Sequence, residues 1–597
     1  MPDFLTPGVV FLARGALSLV FPCALIGILR YILDAHFGIP TSIEQISLAV
    51  AVLGPLVVVT KHYYGLLYKR RRAAALGTRI APRLPGGIGN VDRLMQLANG
   101  QEADMCGQCQ MNWVQECGNT FNMNILWEDF MFTDEPAHIK AILATEFPNY
   151  IKGKQFQSGM QSLLGTGVFN SDGDMWKFHR SMTRPFFSRD RITEFDNFDR
   201  HSDLMITAMK DRLRSGIAVD LQDALNRFTL DSASEFLFGT DVQSLVDPLP
   251  YPSLISSTSS SASFDYSTVT SKAGAFARAL ADAQFFSAYR NMRGWAWPLA
   301  EMFHNHTKAP MDVVSAFLDP VLERAIKRRN VTAGPPTGDE KGYINEVAQD
   351  GTLLDHLVKL TTDRTVLKDE ILNILIAARD TTAATLTFTF YLLACHPEAM
   401  TRLRQEVLEC VGPIGRPTYD MVRNMKYLRA VINETLRLFP AIESVNETIW
   451  ASSDPTQKPV YIPANTRVLY SALMTHRRTD LWGPDALEFD PDRFLDDRVQ
   501  KYLTPKPYIF VPFNAGPRIC LGQQFAYNEV SFVLIRLLQN FTSVTLDTQS
   551  QPPDTMPPPS WAGAPGRKNI EKIWPQGHLS MYSKGGLWVK MEEAVKG

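Results

Sequence analysis

The chain has 597 residues, a formal net charge of −2, 45% hydrophobic and 20% charged residues, and seven cysteines. That near-neutral balance lacks the basic footprint that nucleic-acid binding requires, so nucleic acid is not expected as a partner. Length alone allows several domains.

The N-terminus carries two apolar runs. Gly15 to Leu29 is uncharged, bounded by Arg14 and Arg30 and extended by Tyr31-Ile32-Leu33. Ile46 to Thr60 is the second, extended past Lys61-His62 by Tyr63 to Tyr68 and followed by Lys69-Arg70-Arg71-Arg72. A spanning helix needs about 20 apolar residues, which each run reaches only with snorkelling ends. The pattern predicts a membrane anchor over residues 1–80, as one or two transmembrane helices, with the basic flank in the cytosol. No small-residue cleavage site follows the first run, which argues against a removed signal peptide. Ala81-Pro82-Arg83-Leu84-Pro85-Gly86-Gly87 then breaks the helix and opens one catalytic domain over residues 81–597.

The cysteines are Cys23, Cys106, Cys109, Cys117, Cys395, Cys410 and Cys520. Cys106-Gly107-Gln108-Cys109 with Cys117 invites a zinc reading. A structural zinc site wants four ligands, and no second pair or nearby histidine follows, so ordinary thiols are expected. Disulfides are not expected on the cytosolic face.

Five stretches carry chemistry. Trp176-Lys177-Phe178-His179-Arg180 puts an indole N–H and a guanidinium one helical turn apart, donors suited to an anion. Ile371 to Thr385 is a long apolar helical stretch interrupted by Asp380-Thr381-Thr382; it ends near Cys395-His396-Pro397, where proline stops a helix. A carboxylate there is costly without partners, although an acid on a chance polar face is the bland reading. Glu434 and Arg437, three apart in Tyr427 to Pro440, share a helix face and can pair, as most such pairs do in water. Phe489-Asp490-Pro491-Asp492-Arg493-Phe494 follows. Last comes Phe513-Asn514-Ala515-Gly516-Pro517-Arg518-Ile519-Cys520-Leu521-Gly522.

In that last run a lone cysteine between two glycines, with an arginine two residues before it, looks like an axial thiolate on haem iron. Such a thiolate favours O–O cleavage. Gly516 and Gly522 allow a tight turn and close approach to a flat macrocycle. Arg518 gives a permanent cation for a propionate, and Phe513 can shield the sulfur. The bland alternative is a surface turn with an incidental cysteine.

Together, in this order, these motifs resemble the cytochrome P450 family from about Leu84 to the C-terminus. The resemblance implies a mainly helical α+β haem domain with small sheets. It implies haem b held by Cys520, with Trp176, Arg180 and Arg518 on the propionates. Glu434, Arg437 and Arg493 become a buried structural charge set behind the haem. Asp380 and Thr381 become the proton route to bound oxygen, by general acid assistance through water. Two departures stand out. Ala378 occupies a position where glycine is commonest, which narrows the oxygen groove. After Pro440 the family often has Asn-x-Arg, whose arginine reaches a propionate; here Ala441 to Thr448 brings Glu443 and Glu447 and no arginine.

Phe513 to Ala526, Ala377 to Thr382 and Val168 to Trp176 are similar to the fungal branch that hydroxylates alkanes and fatty acids. That resemblance implies O2-dependent hydroxylation of a long aliphatic chain at or near its end. No Gly-rich dinucleotide fingerprint follows a strand, so electrons are expected from a separate NADPH-dependent, membrane-bound flavoprotein reductase. The expected location is the endoplasmic reticulum membrane, catalytic domain facing the cytosol. Two other classes stay open: a haem-thiolate isomerase or dehydratase, and a non-catalytic haem sensor. An oxidase of aromatic or terpenoid compounds is a further substrate alternative. Ser256 to Ser263 reads as a flexible loop, Thr332 to Gly342 as a linker and Pro552 to Pro565 as a proline-rich insertion.

Overall fold

The computed structural model describes residues 5–38, 42–187, 195–252, 271–332, 351–440, 449–450 and 456–595. The Ser256 to Ser263 loop, nearly all of the 332–342 linker, and the segment with Glu443 and Glu447 lie outside the described residues. The described part is mainly helical with four small sheets, in keeping with the expected α+β class.

Two long helices come first, α1 (Pro7–Phe37) and α2 (Ile43–Ala75). Among the described residues no helix is long and apolar enough to cross a membrane. Much of the two apolar runs falls on side chains outside the described set. The start of α1 sits on the segment Gly294–Glu301: Thr6 Oγ1 donates to Met302 O at 2.6 Å, and Phe11 stacks on Trp295 at 6.4 Å. The end of α2 is tied to the domain by Lys69 and Asp129.

The rest of the described chain is built around helices α3 (Gly153–Leu164), α4 (Gly173–Thr183), α5 (Leu221–Phe238), α6 (Lys272–Met292), α7 (Arg364–Cys395), α8 (Lys426–Leu438) and α9 (Gln523–Asn540). Helix α7 is the spine. Asp363 caps its N-terminus by accepting from the Thr365 and Val366 N–H groups, and Pro397 follows its end. Two apolar clusters lie along it. One joins it to α8 and α9 through Leu386, Phe388, Val431, Phe532 and Leu534. The other joins it to α3, α5 and α6 through Leu163, Leu230, Leu280, Ile371 and Leu375. Burial of such apolar surface is the main stabilising term.

The sheets are small and peripheral. Phe130–Thr133 pairs in parallel with Arg467–Tyr470 and antiparallel with Thr120–Asn122. Phe541–Leu546 pairs antiparallel with Trp588–Glu593. The proline-rich insertion folds into short 3-10 turns that pack Trp561 against Trp574 at 5.6 Å. Just beyond it, a buried ion pair between Arg567 and Glu571 ties the chain to α7, because Tyr391 donates its hydroxyl to Glu571 at 2.6 Å.

Candidate active site

Cys520 lies just before α9, in a loop held by its own backbone. The Cys520 N–H donates to Phe513 O at 3.0 Å, and the Ile519 N–H to Gly516 O at 3.0 Å. Gly516 has φ +62, and an added Cβ would stand 1.9 Å from Leu143 O, so only glycine fits. Gly522 also sits in a turn, but one that does not require glycine. Its φ is −85 and its ψ 12, and a Cβ there would meet only Phe187 at 3.7 Å, an ordinary contact. Among protein atoms nothing demands glycine at 522. Phe513 tilts against Tyr527 at 5.1 Å, at the edge of the larger core cluster. Burial pushes the Cys520 thiol up, while the Gly522 N–H and the nearby Arg180 charge pull it down. Cys520 is ringed by protein yet keeps accessible surface.

The cation cluster comes next. Arg180 lies 5.6 Å from the Trp176 ring and Arg518 4.7 Å from it, with Arg180 Nη2 donating to Ile519 O at 2.8 Å. The loop arginine and the α4 pair are thus brought together. Sequence reasoning missed their hub. Asp172 accepts from Arg518 Nη2 at 3.0 Å, from the Lys152 and Gly153 N–H groups at 2.7 and 3.1 Å, and from Gln157 Nε2 at 3.0 Å. One carboxylate joins the start of α3, the start of α4 and the cysteine loop. Also missed was the fully buried pair of His179 and Glu370, which joins α4 to α7 inside the Trp176–Arg180 turn.

Helix α7 supplies the third part. From 370 to 393 every residue is buried except Ala377, Ala378, Asp380, Thr381 and Ala384. Their spacing places them on one face, so a single stripe of a core helix stays accessible. Asp380 and Thr381 are both on it, and so is Ala378, whose methyl packs at the edge of the second cluster. Burial raises the Asp380 carboxyl above the ordinary range, opposed first by Arg379 at 3.4 Å and then by Gln284 of α6. Gln284 is close enough to weigh on that charge, but its Nε2 and Asp380 Oδ2 form no well-aligned hydrogen bond. Thr381 Oγ1 donates to Ala377 O at 2.7 Å, which leaves its lone pairs to accept. Next to it, Thr382 faces Glu529 of α9, a buried acid that also accepts from Ser232 Oγ at 2.9 Å and is pushed up to about 8 by burial.

The charge set behind this region is denser than the motif implies. Arg437 grips Glu434 through two bonds of 2.7 Å and donates to the His476, Ala486 and Glu488 carbonyls. Arg493 reaches Glu434 at 3.5 Å and Asp485 at 3.0 Å. Cys106, Cys109 and Cys117 lie apart from all of this. Cys109 donates weakly to Gln96 O, burial raises the Cys109 and Cys117 thiols, and among the described residues no group of three or more His, Cys, Asp or Glu could hold a metal ion.

The cytochrome P450 family profile matches residues 85–570. The chain belongs to the cytochrome P450 family. It is 32% identical over 506 residues to cytochrome P450 monooxygenase pvhE of Talaromyces variabilis, covering 80% of this chain and 85% of that protein. It is 35% identical over 451 residues to cytochrome P450 52A5 of Candida maltosa, covering 73% and 80%. Against cytochrome P450 monooxygenase himC of Aspergillus japonicus the identity is 33%, covering 86% and 88%. The chain is therefore a cytochrome P450 monooxygenase, and the family implies a haem-thiolate cofactor and a redox partner. The residues fit that cofactor. The backbone N–H of Gly522 and the Arg180 cation beside the Cys520 thiol partly offset the burial that raises it, a tryptophan with two guanidiniums suits propionates, and a partly exposed helical stripe carries an acid and an alcohol.

Proposed function

We propose that this P450 hydroxylates a long-chain alkane or fatty acid at or near its terminal carbon. One atom of O2 enters the C–H bond and the other leaves as water; the two electrons come from NADPH through a separate membrane flavoprotein reductase, and the two protons come from NADPH oxidation and from the solvent. Haem b, held through Cys520, supplies the O–O cleavage that a thiolate ligand favours. The observation that carries the reading is the partly exposed stripe of α7, because it puts Asp380 and Thr381 together on the one face of this buried helix that is not fully covered.

Each residue has a task in this reading. Gly522 N–H and Arg180 disperse negative charge on the Cys520 sulfur. Asp380, raised by burial, keeps a proton at higher pH than an ordinary carboxyl and can release it toward the stripe. Thr381, its own proton tied to Ala377, accepts from a donor above it. Trp176, Arg180 and Arg518 orient the propionates, while Glu434, Arg437 and Arg493 hold the wall rigid. The aliphatic substrate rests on the likeness of Phe513 to Ala526 to the alkane- and fatty-acid-hydroxylating fungal branch. The anchor in residues 1–80 holds the domain on the cytosolic face of the endoplasmic reticulum membrane, where such substrates partition.

Reconstitution with an NADPH-dependent reductase and a chain-length series of alkanes and fatty acids tests this. Terminal or near-terminal alcohol that requires both NADPH and O2 supports it. Product formed without O2, or hydroxylation confined to aromatic or terpenoid compounds, contradicts it.

A further inference from the structure

A hairpin near the C-terminus brings an imidazole to the edge of the α7 stripe. Pro575–Gly577 pairs antiparallel with Met581–Ser583, and the His578 N–H donates to Ser580 O at 3.2 Å across the tip. The second strand packs on α7. Its Met581 belongs to the cluster that holds Leu386 and Phe388, whereas Leu579 packs against the one that holds Leu375 and Ile376. The tip therefore lies beside the stretch of α7 between those residues, which carries the stripe. Helix α6 closes the other side. Its Phe285 meets the His578 ring edge-on at 6.0 Å, and the residue before it, Gln284, stands beside Asp380.

The state of that ring points to a ligand. Burial alone pulls the imidazole down to about 4, so protein surrounds it and it is neutral at ordinary pH, yet the residue keeps accessible surface. A ring that is surrounded and still accessible faces an interior space rather than bulk water. Among the described residues its Nδ1 is covered and has no hydrogen-bond partner, so the ring meets that space through its Nε2 edge. Tyr582 lies against the ring at 4.6 Å. A polar edge left unbonded among aromatic rings costs free energy until a partner arrives.

The chemistry of the partner follows from the same surroundings. No charged group weighs on the ring, burial being the only influence on it. A carboxylate placed there would lose its hydration against a neutral imidazole, whereas a hydroxyl or carbonyl oxygen needs only the one N–H. We propose that His578 is a specificity-determining residue, its imidazole donating to an uncharged oxygen carried by an otherwise aliphatic substrate. Among aliphatic chains, the pocket then takes those that already bear a hydroxyl or carbonyl in preference to the bare alkane. This rests on the reading of the α7 stripe as part of an aliphatic substrate site.

The test uses full-length haem-loaded protein as wild type, His578→Phe and His578→Gln. Haem-spectral titration gives the dissociation constants of dodecane, a primary and a mid-chain dodecanol, a mid-chain dodecanone and dodecanoate, with thermal midpoints recorded beside them. In the wild type an alcohol or the ketone should bind about three- to tenfold tighter than dodecane, the scale of one neutral hydrogen bond, and tighter than dodecanoate. Whether hydroxyl or ketone wins names the group. His578→Phe should bring that ratio close to one, and His578→Gln, which keeps an N–H, should restore part of it. A ratio of one in the wild type, or an undiminished ratio in His578→Phe, overturns the proposal. So does dodecanoate as the tightest ligand. A Phe variant with a lowered thermal midpoint and every ligand weakened alike makes the role structural and also overturns it. If no probe perturbs the wild-type haem spectrum, the aliphatic reading fails and takes this proposal with it, whereas probes that bind with an unaltered ratio sink only the histidine.

Discussion

Arg493 lies 3.0 Å from Asp485 and 3.5 Å from Glu434, so its tighter partner is an aspartate outside the recognised motif. Glu434 and Arg437 are fully buried, whereas Asp485 is 37% exposed. Glu434 also accepts the Asp490 N–H at 3.0 Å, so its carboxylate organises two segments at once. Removing a buried partner strands the others. Glu434→Ala should therefore cost about 3–5 kcal/mol and yield little haem-loaded protein. Asp485→Asn should cost about 1 kcal/mol and retain haem, since water reaches the site. Urea unfolding of both variants checks the contrast, and equal losses would contradict it.

Asp380 should control the pH dependence of turnover. Its carboxyl is raised by burial, so the protonated, donating form persists above the ordinary carboxylate range and is lost as pH rises through the shifted value. Asp380→Asn should slow substrate-dependent turnover by roughly 10²-fold and remove that limb of the pH profile. The reduced-CO spectrum should not change. Steady-state rates from pH 5 to about pH 9 read the effect.

Glu529 should make stability fall with rising pH. Its carboxyl is pushed up to about 8, above the ordinary glutamate value of 4.5, so the folded chain holds a proton that the unfolded chain releases. That stabilising difference is full below the ordinary value and is lost as pH rises toward 8, at ~1.4 kcal/mol per unit. Glu529→Gln can still accept from Ser232 and has no charge to bury. It should be the more stable protein at pH 8 and match the wild type near pH 4. Unfolding free energies that track each other at every pH would overturn this.

The two loop glycines should behave differently. Gly516→Ala forces a Cβ to within 1.9 Å of Leu143 O at a positive φ, so the loop should distort and haem should be lost. Gly522→Ala meets only Phe187 at 3.7 Å, so the fold should survive. Any loss of haem affinity at 522 then reports contact with the macrocycle rather than with protein. Haem titration and circular dichroism of both variants measure it.

Local patterns account for what the sequence shows of this fold. The run from Ile371 to Cys395 reads as one helix because it is apolar, lacks proline and stops before Pro397. Trp176 and Arg180, or Glu434 and Arg437, are legible because helical spacing puts each pair on one face. Asp172, Gln284, Asp485 and Glu529 are not legible. Asp485 lies only eight positions from Arg493 in a stretch with no helical spacing to announce the pair, whereas Asp172, Gln284 and Glu529 act on residues that chain folding alone brings near, such as Arg518, 346 positions from Asp172. The same holds for Tyr391 and Glu571, which tie the chain after the proline-rich insertion to α7, a link no composition bias could announce. Gly522 is read correctly as part of a turn, but its φ of −85 shows a turn that any residue could make.

The central claim is that Cys520 presents a thiolate to haem iron. The direct measurement is the dithionite-reduced, CO-difference spectrum of the purified haem-loaded protein, beside a Cys520→His variant. The wild type should show the long-wavelength Soret band of a thiolate ligand, and the variant the shorter-wavelength band of a histidine ligand. A wild-type band already at the histidine-like position, with haem bound, would contradict the account at its base.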